Sequence, residues 1–303
     1  MRISFAGGGS DIKEFSAVYG GAVCNATISM YVHVRLSVSS KGEHALVSKD
    51  LGIEESYNTN DLSLEKSRLK LHVGVLSYFL SYEKDGRHFD VETFSEAPVC
   101  SGLGSSSTIV VAMIAAFNSF YKANLSNEEI AHLAFFIERD VCGFPGGQQD
   151  QLSAVFGGFC LHEFHTSGLT SSVSLKIHKN FKSLLDSKSL LYFTGVSRYS
   201  DTIIRSQKEL ILDKERAKTF SSLRDNAYEM SSCIERCDLT KFIDLLNKGW
   251  LEKKKTSGMV SNSSIDSIIA IHERLGCEAV KVCGAGGGGV VFSLFPNDKI
   301  SET

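Results

Sequence analysis

The sequence has only three prolines and one tryptophan, and neither sign of charge dominates it. Lys and Arg total 32 against 35 Asp and Glu, which gives a net charge of −3. Such a balance argues against binding to nucleic acid or an anionic membrane through bulk electrostatics. The best apolar run, residues 108–117, is too short to span a bilayer, and no signal peptide is visible. We therefore expect a cytoplasmic protein with no nucleic-acid or membrane partner.

Paired metal-binding cysteines are also missing. The chain has eight cysteines, and no two of them form a C-x-x-C pair. Cys233 and Cys237 are one helical turn apart, but no second pair lies nearby to complete a zinc site. Scattered cysteines with apolar neighbours are typical of buried thiols in a reducing compartment.

Helical and strand patterns are mixed along the chain without regular alternation. Its 303 residues suffice for one large domain or two ordinary ones, and a hydrophobic content of 43% allows a sizeable core. Apolar periodicity predicts strands at the start of 2–11 and at 22–28, 32–39, 88–94, 154–164, 173–178, 189–194, 279–283 and 290–295. It predicts helices at 62–82, 105–121, 124–141 (with a capping box at Ser126 and Glu129) and within 200–276. This mixture favours an α+β fold, with a candidate domain junction in the small polar residues 165–173.

The stretch APVCSGLGSSST at 97–108 joins a predicted strand to an apolar helix. Gly102 and Gly104 allow a tight turn and a close approach of a ligand to the backbone. Ser105, Ser106 and Ser107 stand at the helix start, where free N–H groups and the helix dipole favour an anion. An N-capped helix needs only one such serine, so the pattern favours a phosphate site. It is neither a Walker A loop, which needs G-K-[ST], nor a convincing dinucleotide fingerprint.

Three other glycine-rich stretches are RISFAGGGSD at 2–11, GFPGGQQD at 143–150 and GAGGGG at 284–289. The first ends in Asp11, which can accept hydrogen bonds from hydroxyl groups or be a solvated turn residue. The second ends in Asp150, for which the same two interpretations stand. The third lies between two predicted strands, so close approach of a ligand or another loop is a better explanation than a flexible linker.

In this order and spacing, the four stretches resemble the motifs of the GHMP kinase family. The resemblance covers nearly the whole chain. TGVSR at 194–198, GWLEKKK at 249–255 and VSNSSID at 260–266 resemble the heptose-phosphate kinase and fucokinase-like branch of that family. The resemblance implies a two-domain GHMP kinase fold. A GHMP kinase N-terminal, ATP-binding domain would cover 1–168, a ferredoxin-like-type C-terminal domain would cover 169–303, and the active site would lie in the cleft between them.

The resemblance also implies roles for single residues. Asp150 matches the catalytic acid that orients the accepting hydroxyl and accepts its proton, and Arg2 matches an arginine that stabilises developing charge. Ser106 and Glu138 match the Mg²⁺ ligands. The substrate-binding residues would be Asp11, Gly8, Gly9, Gly146, Gly147, Arg198 and Gly287, with Lys253 and Lys254 as further cations for a sugar phosphate. The ATP-binding residues would be Pro98, Ser101, Gly102, Leu103, Gly104, Ser105, Ser106 and Ser107.

The implied activity is transfer of the γ-phosphoryl group of Mg-ATP to the anomeric hydroxyl of a sugar. The first candidate is D-glycero-D-manno-heptose 7-phosphate, and a small-molecule sugar or sugar phosphate would be the partner; a homodimer is left open. Alternatives are a kinase of another sugar such as fucose, a non-catalytic sugar- or nucleotide-binding pseudokinase, and a nicotinamide-dependent oxidoreductase. Family members usually begin several residues before R-I-S-F and continue beyond Phe295, and this departure motivates the pseudokinase alternative.

Overall fold

A computed structural model describes residues 1–83, 86–196 and 200–296 of the chain. The predicted substrate residue Arg198 lies outside these residues. Strands in the described residues are, in chain order, β1 (Arg2–Ala6), β2 (Gly21–Thr27), β3 (Val32–Val38), β4 (His44–Ser48), β5 (Ile53–Tyr57), β6 (Phe89–Ser95), β7 (Phe159–Phe164), β8 (Thr170–Ser174), β9 (Ser189–Phe193), β10 (Ala279–Val282) and β11 (Val290–Leu294).

Helices in the described residues are α1 (Lys13–Tyr19), α2 (Lys70–Glu83), α3 (Ser105–Tyr121), α4 (Asn127–Phe136), α5 (Gln149–Phe156), α6 (Lys179–Lys188), α7 (Ser200–Ile211), α8 (Lys214–Glu235), α9 (Leu239–Lys255) and α10 (Ser263–Arg274). A 3₁₀ turn covers Thr59–Asp61, and a π-helical turn, Ile137–Val141, extends α4. None of the helices in these described ranges is both long and apolar enough to cross a membrane.

The strands form three sheets. Antiparallel pairing gives the order β1-β2-β7-β8 in the first sheet and β10-β11-β9 in the third. The second sheet has the order β3-β6-β4-β5, in which β4 and β6 are parallel. Mixed helices and sheets of this kind confirm the predicted α+β class. The predicted division between residues 168 and 169 stays a prediction; β7 and β8 pair on either side of it.

Several predicted elements are confirmed by the structure. Helix α3 begins at Ser105 after Gly104, which has a left-handed backbone with φ of 79°. Helix α4 begins with the predicted capping box, because Ser126 accepts from the Glu129 amide and the Glu129 carboxylate accepts from the Ser126 amide. The strands predicted near 22–28, 32–39, 88–94, 189–194, 279–283 and 290–295 are also present, within one or two residues.

Other predicted bounds are wrong. The strand predicted at 154–164 begins only at Phe159, because residues up to Phe156 finish helix α5 and Gly157 ends it with φ of 65°. The helix predicted over 62–82 starts at Lys70, and the strand predicted at 173–178 is β8, a few residues earlier. Elements without a strong local pattern were not predicted; they are α1, β4, β5, α5 and α6.

The first sheet packs against helices from the far end of the sequence. Phe5 of β1 is buried, and its ring centroid lies 5.1 Å from that of Phe242 in α9 and 5.9 Å from that of Phe292 in β11. A second core joins sheet β3-β6-β4-β5 to α2 and α3, with the rings of Phe79 and Phe117 stacked at 4.7 Å. Each such buried ring contributes roughly 1.5–3 kcal/mol of burial free energy. The contacts of Phe5 with Phe242 and Phe292 therefore fix β1 relative to α9 and β11.

Strand β1 is an edge strand whose open side is covered by a lysine. A register shift between Ser4 and Ala6 interrupts the pairing with β2. The Lys281 ammonium of β10 donates to the carbonyl oxygens of Ser4, at 2.6 Å, and Phe5, at 2.9 Å. Burial, assisted by the nearby Lys253 and Arg2 charges and opposed by Cys283, lowers the pKa of Lys281 to about 8. The sheets β1-β2-β7-β8 and β10-β11-β9 are thus tied by a buried cation.

We predict that Lys281→Met removes a pH dependence of stability. The ordinary pKa of a lysine is 10.5, and that of Lys281 in the folded chain is about 8. Between these two pH values the unfolded chain keeps the Lys281 proton that the folded chain has released. The unfolding free energy of the wild type therefore rises with pH in this range. The difference between wild type and Lys281→Met should grow by about 2 kcal/mol from pH 8 to 10 in urea titrations. The exposed Lys182→Met is the control and should show no such growth. If the difference in unfolding free energy between wild type and Lys281→Met stays constant over this pH range, the Lys281 ammonium has an ordinary pKa.

Candidate active site

One cavity of about 340 Å³ brings all four glycine-rich stretches together. In chain order, the first stretch contributes Arg2 and Asp11 to its wall, the second contributes Gly104 to Ser107 at the start of α3, and the third contributes Gly146, Gly147, Gln149 and Asp150. The fourth stretch contributes Gly284 and Ala285. Because these residues come from all parts of the chain, the cavity forms only when β1, α3, α5 and the β10–β11 loop are assembled.

The loop before α3 packs backbone to backbone against the fourth glycine stretch. A Cβ on Gly102 would lie 2.6 Å from the Cys283 carbonyl oxygen, and a Cβ on Gly284 would lie 2.8 Å from the Gly102 carbonyl oxygen. Both glycines also have positive φ, of 78° and 68°, which disfavours any side chain there. GAGGGG therefore supports the loop that presents the N-terminus of α3 to the cavity.

Arg2 and Asp150 form a buried ion pair beside that helix start. The Arg2 side chain is 3% exposed, and its Nε donates to Asp150 Oδ1 at 2.7 Å while Nη1 donates to the Gly102 carbonyl at 2.6 Å. Asp150 lies in the first turn of α5, and its Cγ is 3.1 Å from where a Cβ on Gly104 would stand. The carboxylate therefore faces the N-terminus of α3 and leaves part of its surface in the cavity.

Asp11 is a second buried acid at the same cavity. Its Oδ1 accepts from the Gly9 amide at 2.9 Å, and its Oδ2 accepts from the Gln149 amide at 3.2 Å. Any Cβ on Gly147 would overlap the Asp11 carboxylate, so glycine is required there by packing alone. The backbone of the third stretch is thereby clamped onto Asp11.

Lys253 lies next to Asp11 in the cavity wall. Its ammonium donates to the Gly8 carbonyl oxygen at 2.9 Å. Burial lowers the pKa of Lys253 to about 8; the Asp11 carboxylate opposes that shift and the Arg2 charge adds to it. Lys253 is therefore charged at pH 7 and loses its charge as the pH rises through about 8.

Glu138 is held in the π-helical turn, where the Cys142 amide donates to the Ile137 carbonyl at 2.9 Å. The Glu138 carboxylate accepts from Ser107 Oγ at 2.7 Å and from Ser106 Oγ at 3.3 Å. Gln151 Nε2 donates to the same carboxylate at 2.6 Å. A carboxylate and a hydroxyl beside the N-terminus of a helix are hard oxygen donors that suit Mg²⁺.

A metal at this site would complete its coordination from outside the protein. No group of three or more His, Cys, Asp or Glu side chains that could hold a metal occurs among the described residues. Ser106 and Glu138 supply two oxygens, and Mg²⁺ usually takes its remaining ligands from water and substrate phosphates. The donor set therefore fits the predicted ion.

Arg139 is a cavity residue that the sequence analysis missed. Its Nη1 lies 3.2 Å from Glu138 Oε1, and its Nη2 donates to the Gly147 carbonyl at 3.1 Å. A Cβ on Gly146 would lie 2.5 Å from its guanidinium carbon. The signal in the sequence was the adjacent acid and base in IERD, but α-helical geometry would separate them by 100° around the axis. Here Glu138 and Arg139 both line the cavity.

Some predicted site residues do not line the cavity. Leu103 is in the core and its carbonyl accepts from the Arg2 amide at 3.1 Å, while the Ser101 carbonyl accepts from the Val290 amide at 2.8 Å. Gly287 instead donates to the Val260 carbonyl at 2.8 Å, because the β10–β11 loop turns away from the cavity after Ala285. Pro98 and Gly8 also lie outside its wall.

The predicted cation Lys254 is exposed, with its ammonium 5.7 Å from the Trp250 ring centroid, and it does not line the cavity. Other residues of the cavity wall were not predicted at all. They include the apolar side chains of Leu51, Leu69 and Leu71. These leucines come from two separate segments that carry no motif.

Comparison with known proteins identifies the family. Residues 70–158 match the N-terminal domain of GHMP kinases, and residues 230–302 match the GHMP kinases C-terminal domain. A Campylobacter jejuni protein named D-glycero-alpha-D-manno-heptose 7-phosphate kinase is 33% identical over 96% of this chain and 86% of its own length. The L-fucokinase/L-fucose-1-P guanylyltransferase of Bacteroides fragilis is 27% identical over 97% of this chain, which corresponds to 34% of that longer protein.

A solved structure shows the same fold. The crystal structure described as a D-glycero-D-manno-heptose 1-phosphate kinase from Bacteriodes thetaiotaomicron superposes with a TM-score of 0.80 at 27% identity. The match covers all of this chain and 88% of that one. The resemblance seen in the glycine-rich motifs is confirmed by these matches, and the chain belongs to the GHMP kinase family of phosphotransferases.

Proposed function

We propose that this protein is an ATP-dependent sugar kinase that phosphorylates the anomeric hydroxyl of a sugar. The first candidate for the sugar is D-glycero-D-manno-heptose 7-phosphate. The observation that carries the proposal is the position of Asp150: Arg2 holds it directly beside the N-terminus of α3, in the same cavity as Asp11. A carboxylate between an anion-binding helix start and a hydroxyl-binding acid suits transfer of a phosphoryl group to an alcohol.

Asp150 would orient the accepting hydroxyl and take its proton. As the sugar oxygen bonds to the γ-phosphorus, the bond from that phosphorus to the β–γ bridging oxygen breaks, and ADP leaves. The proton of the hydroxyl passes to Asp150. Arg2 holds the carboxylate in place, since its guanidinium is itself fixed by the Gly102 carbonyl.

Ser106 and Glu138 would hold Mg²⁺ at the start of α3. The ion supplies charge neutralisation on the nucleotide phosphates. Ser106 and the free amide groups of α3 would bind the phosphates themselves. The apolar side chains of Leu51, Leu69 and Leu71 in the cavity wall would contact the nucleotide base, and the sugar would lie at Asp11.

The choice of sugar rests on similarity and on charge. Two relatives are named for heptose phosphates, although one name gives a 7-phosphate and the other a 1-phosphate. Lys253 gives the Asp11 end of the cavity a buried cation, which suits an anionic sugar. A kinase of an unphosphorylated sugar such as fucose is the alternative favoured by the fucokinase relative. A pseudokinase that binds but does not transfer would have the same cavity.

The experiment that tests the proposal is ADP release from Mg-ATP across a panel of acceptors, with the product phosphate located by ³¹P NMR. The panel contains the 7-phosphate and 1-phosphate of D-glycero-D-manno-heptose, L-fucose and mevalonate. We expect turnover with the heptose 7-phosphate and a new anomeric phosphate signal. Turnover with L-fucose alone would keep the mechanism and replace the sugar. Nucleotide binding without turnover on any acceptor would favour the pseudokinase.

Asp150→Asn should lower kcat by about 10²- to 10⁴-fold, because an amide cannot accept the hydroxyl proton. Affinity for a non-hydrolysable ATP analogue should stay within a few-fold of wild type, since Ser106 and Glu138 are unchanged. Asp186→Asn, the same change at an exposed residue of α6 that pairs with Lys182, is the matched control. Retention of full kcat in Asp150→Asn would remove Asp150 from the catalytic role.

Binding of an anionic sugar should weaken at alkaline pH, because Lys253 then loses its charge. Its pKa is lowered to about 8, so its charge is present below pH 8 and is lost above it. We expect the KM for the phosphorylated sugar to rise as the pH increases from 7 to 9. In Lys253→Arg the guanidinium stays charged, and the rise should vanish. An identical pH profile in both proteins would show that another group sets the limit.

A further inference from the structure

We propose that Arg139 is a positioning residue that occupies the metal carboxylate until a divalent cation arrives and then anchors the substrate loop, residues 143–148. The inference rests on the proposed function, because it takes Glu138 as a metal ligand. It goes beyond that function by coupling metal occupancy to the order of the loop through one guanidinium.

Glu138 and Arg139, which are adjacent in the sequence, form an ion pair. Arg139 Nη1 lies 3.2 Å from Glu138 Oε1, the same oxygen that Ser106 Oγ approaches at 3.3 Å. The other oxygen, Oε2, is taken by Ser107 and Gln151. Oε1 is therefore the position at which a cation would bind, and Arg139 already places a positive charge there. A bound cation and this guanidinium compete for one oxygen.

The Arg139 guanidinium also contacts the substrate loop. Arg139 Nη2 donates to the Gly147 carbonyl at 3.1 Å, and Nη1 reaches the Phe144 carbonyl only at 3.5 Å. Gly146 lies so close that a Cβ there would stand 2.5 Å from the guanidinium carbon. Gly147 in turn packs onto the Asp11 carboxylate. Arg139 thus reaches the Asp11 end of the cavity through this loop.

These contacts leave some hydrogen-bond donors of the Arg139 guanidinium without a good acceptor. Arg139 Nε is buried and has no hydrogen-bond acceptor, and the Nη1 contact to the Phe144 carbonyl is at the limit of a hydrogen bond. A buried donor without an acceptor is unfavourable. When a cation takes Oε1, like-charge repulsion drives the guanidinium towards the loop carbonyls, where those donors are needed. Metal binding then orders the loop that packs on Asp11.

The test measures the affinity of a non-hydrolysable ATP analogue with Mn²⁺ and with EDTA, by calorimetry, and takes the ratio of the two. In Arg139→Gln the carboxylate loses its resident positive charge, so we expect this metal-dependent ratio to rise about tenfold over wild type. A merely structural role would lower both affinities and leave the ratio unchanged. Arg216→Gln, the same change at an exposed arginine that pairs with Asp213, is the control and should behave as wild type.

Hydrogen–deuterium exchange of a peptide covering 143–148 provides the second measurement. We expect the Mn²⁺ complex to slow exchange in this peptide in the wild type, and to have no such effect in Arg139→Gln. Arg139→Lys keeps the positive charge but not the two donor nitrogens of the guanidinium. The ratio of its analogue affinities with Mn²⁺ and with EDTA should therefore stay near the wild-type value, while exchange in the 143–148 peptide stays fast. Circular dichroism melting of each variant verifies that it is folded.

Failure of the inference and of the proposed function are distinguishable with Glu138→Gln. If that variant brings the ratio close to one while Arg139→Gln leaves it at the wild-type value, the metal site stands and the role of Arg139 is refuted. If Glu138→Gln leaves the ratio unchanged, the metal does not bind at Glu138, and the inference is refuted. The proposed kinase function, which depends on Asp150, is decided separately by turnover on the acceptor panel.

Discussion

The ion pair between Arg2 and Asp150 joins three of the chain segments that line the cavity. A buried charge is tolerated only when a partner and further hydrogen bonds replace its water, and here the guanidinium bonds both the carboxylate and the Gly102 carbonyl. Strand β1, the loop before α3 and the first turn of α5 are therefore fixed relative to one another. Truncation of either side chain would leave the other charge uncompensated and would loosen this arrangement, whereas an asparagine at position 150 keeps an oxygen that can accept from Arg2.

Local patterns predicted much of the fold because many elements are determined by neighbouring residues. Gly104 and the serines after it define the start of α3, and Ser126 with Glu129 defines the start of α4. Strand β4 is different: it lies parallel to β6, and that pairing depends on contacts far along the chain. The apolar residues just before Gly157 fit either a helix or a strand. In the structure they finish α5, which packs mainly on α3 and α4.

The site shows the same division between local and distant information. Asp11, Glu138 and Asp150 stand at the ends of motifs, so resemblance was enough to select them, and the structure brings them to one cavity. Lys253 and Lys254 look equivalent in a run of three lysines. Only the rotation of α9 and the contact with the Gly8 carbonyl make the first a buried cation and leave the second in solvent. No local signal carries that difference.

The contact of Lys281 with strand β1 has a consequence for the order in which the molecule can form. The bonded atoms are 277 and 276 residues apart in the chain, so their pairing belongs to the slow, non-local class of contacts. At roughly 5–20 residues per second, a ribosome needs tens of seconds to deliver Lys281 after β1 has left it. Throughout that interval the open edge of β1 offers unpaired carbonyls to other chains.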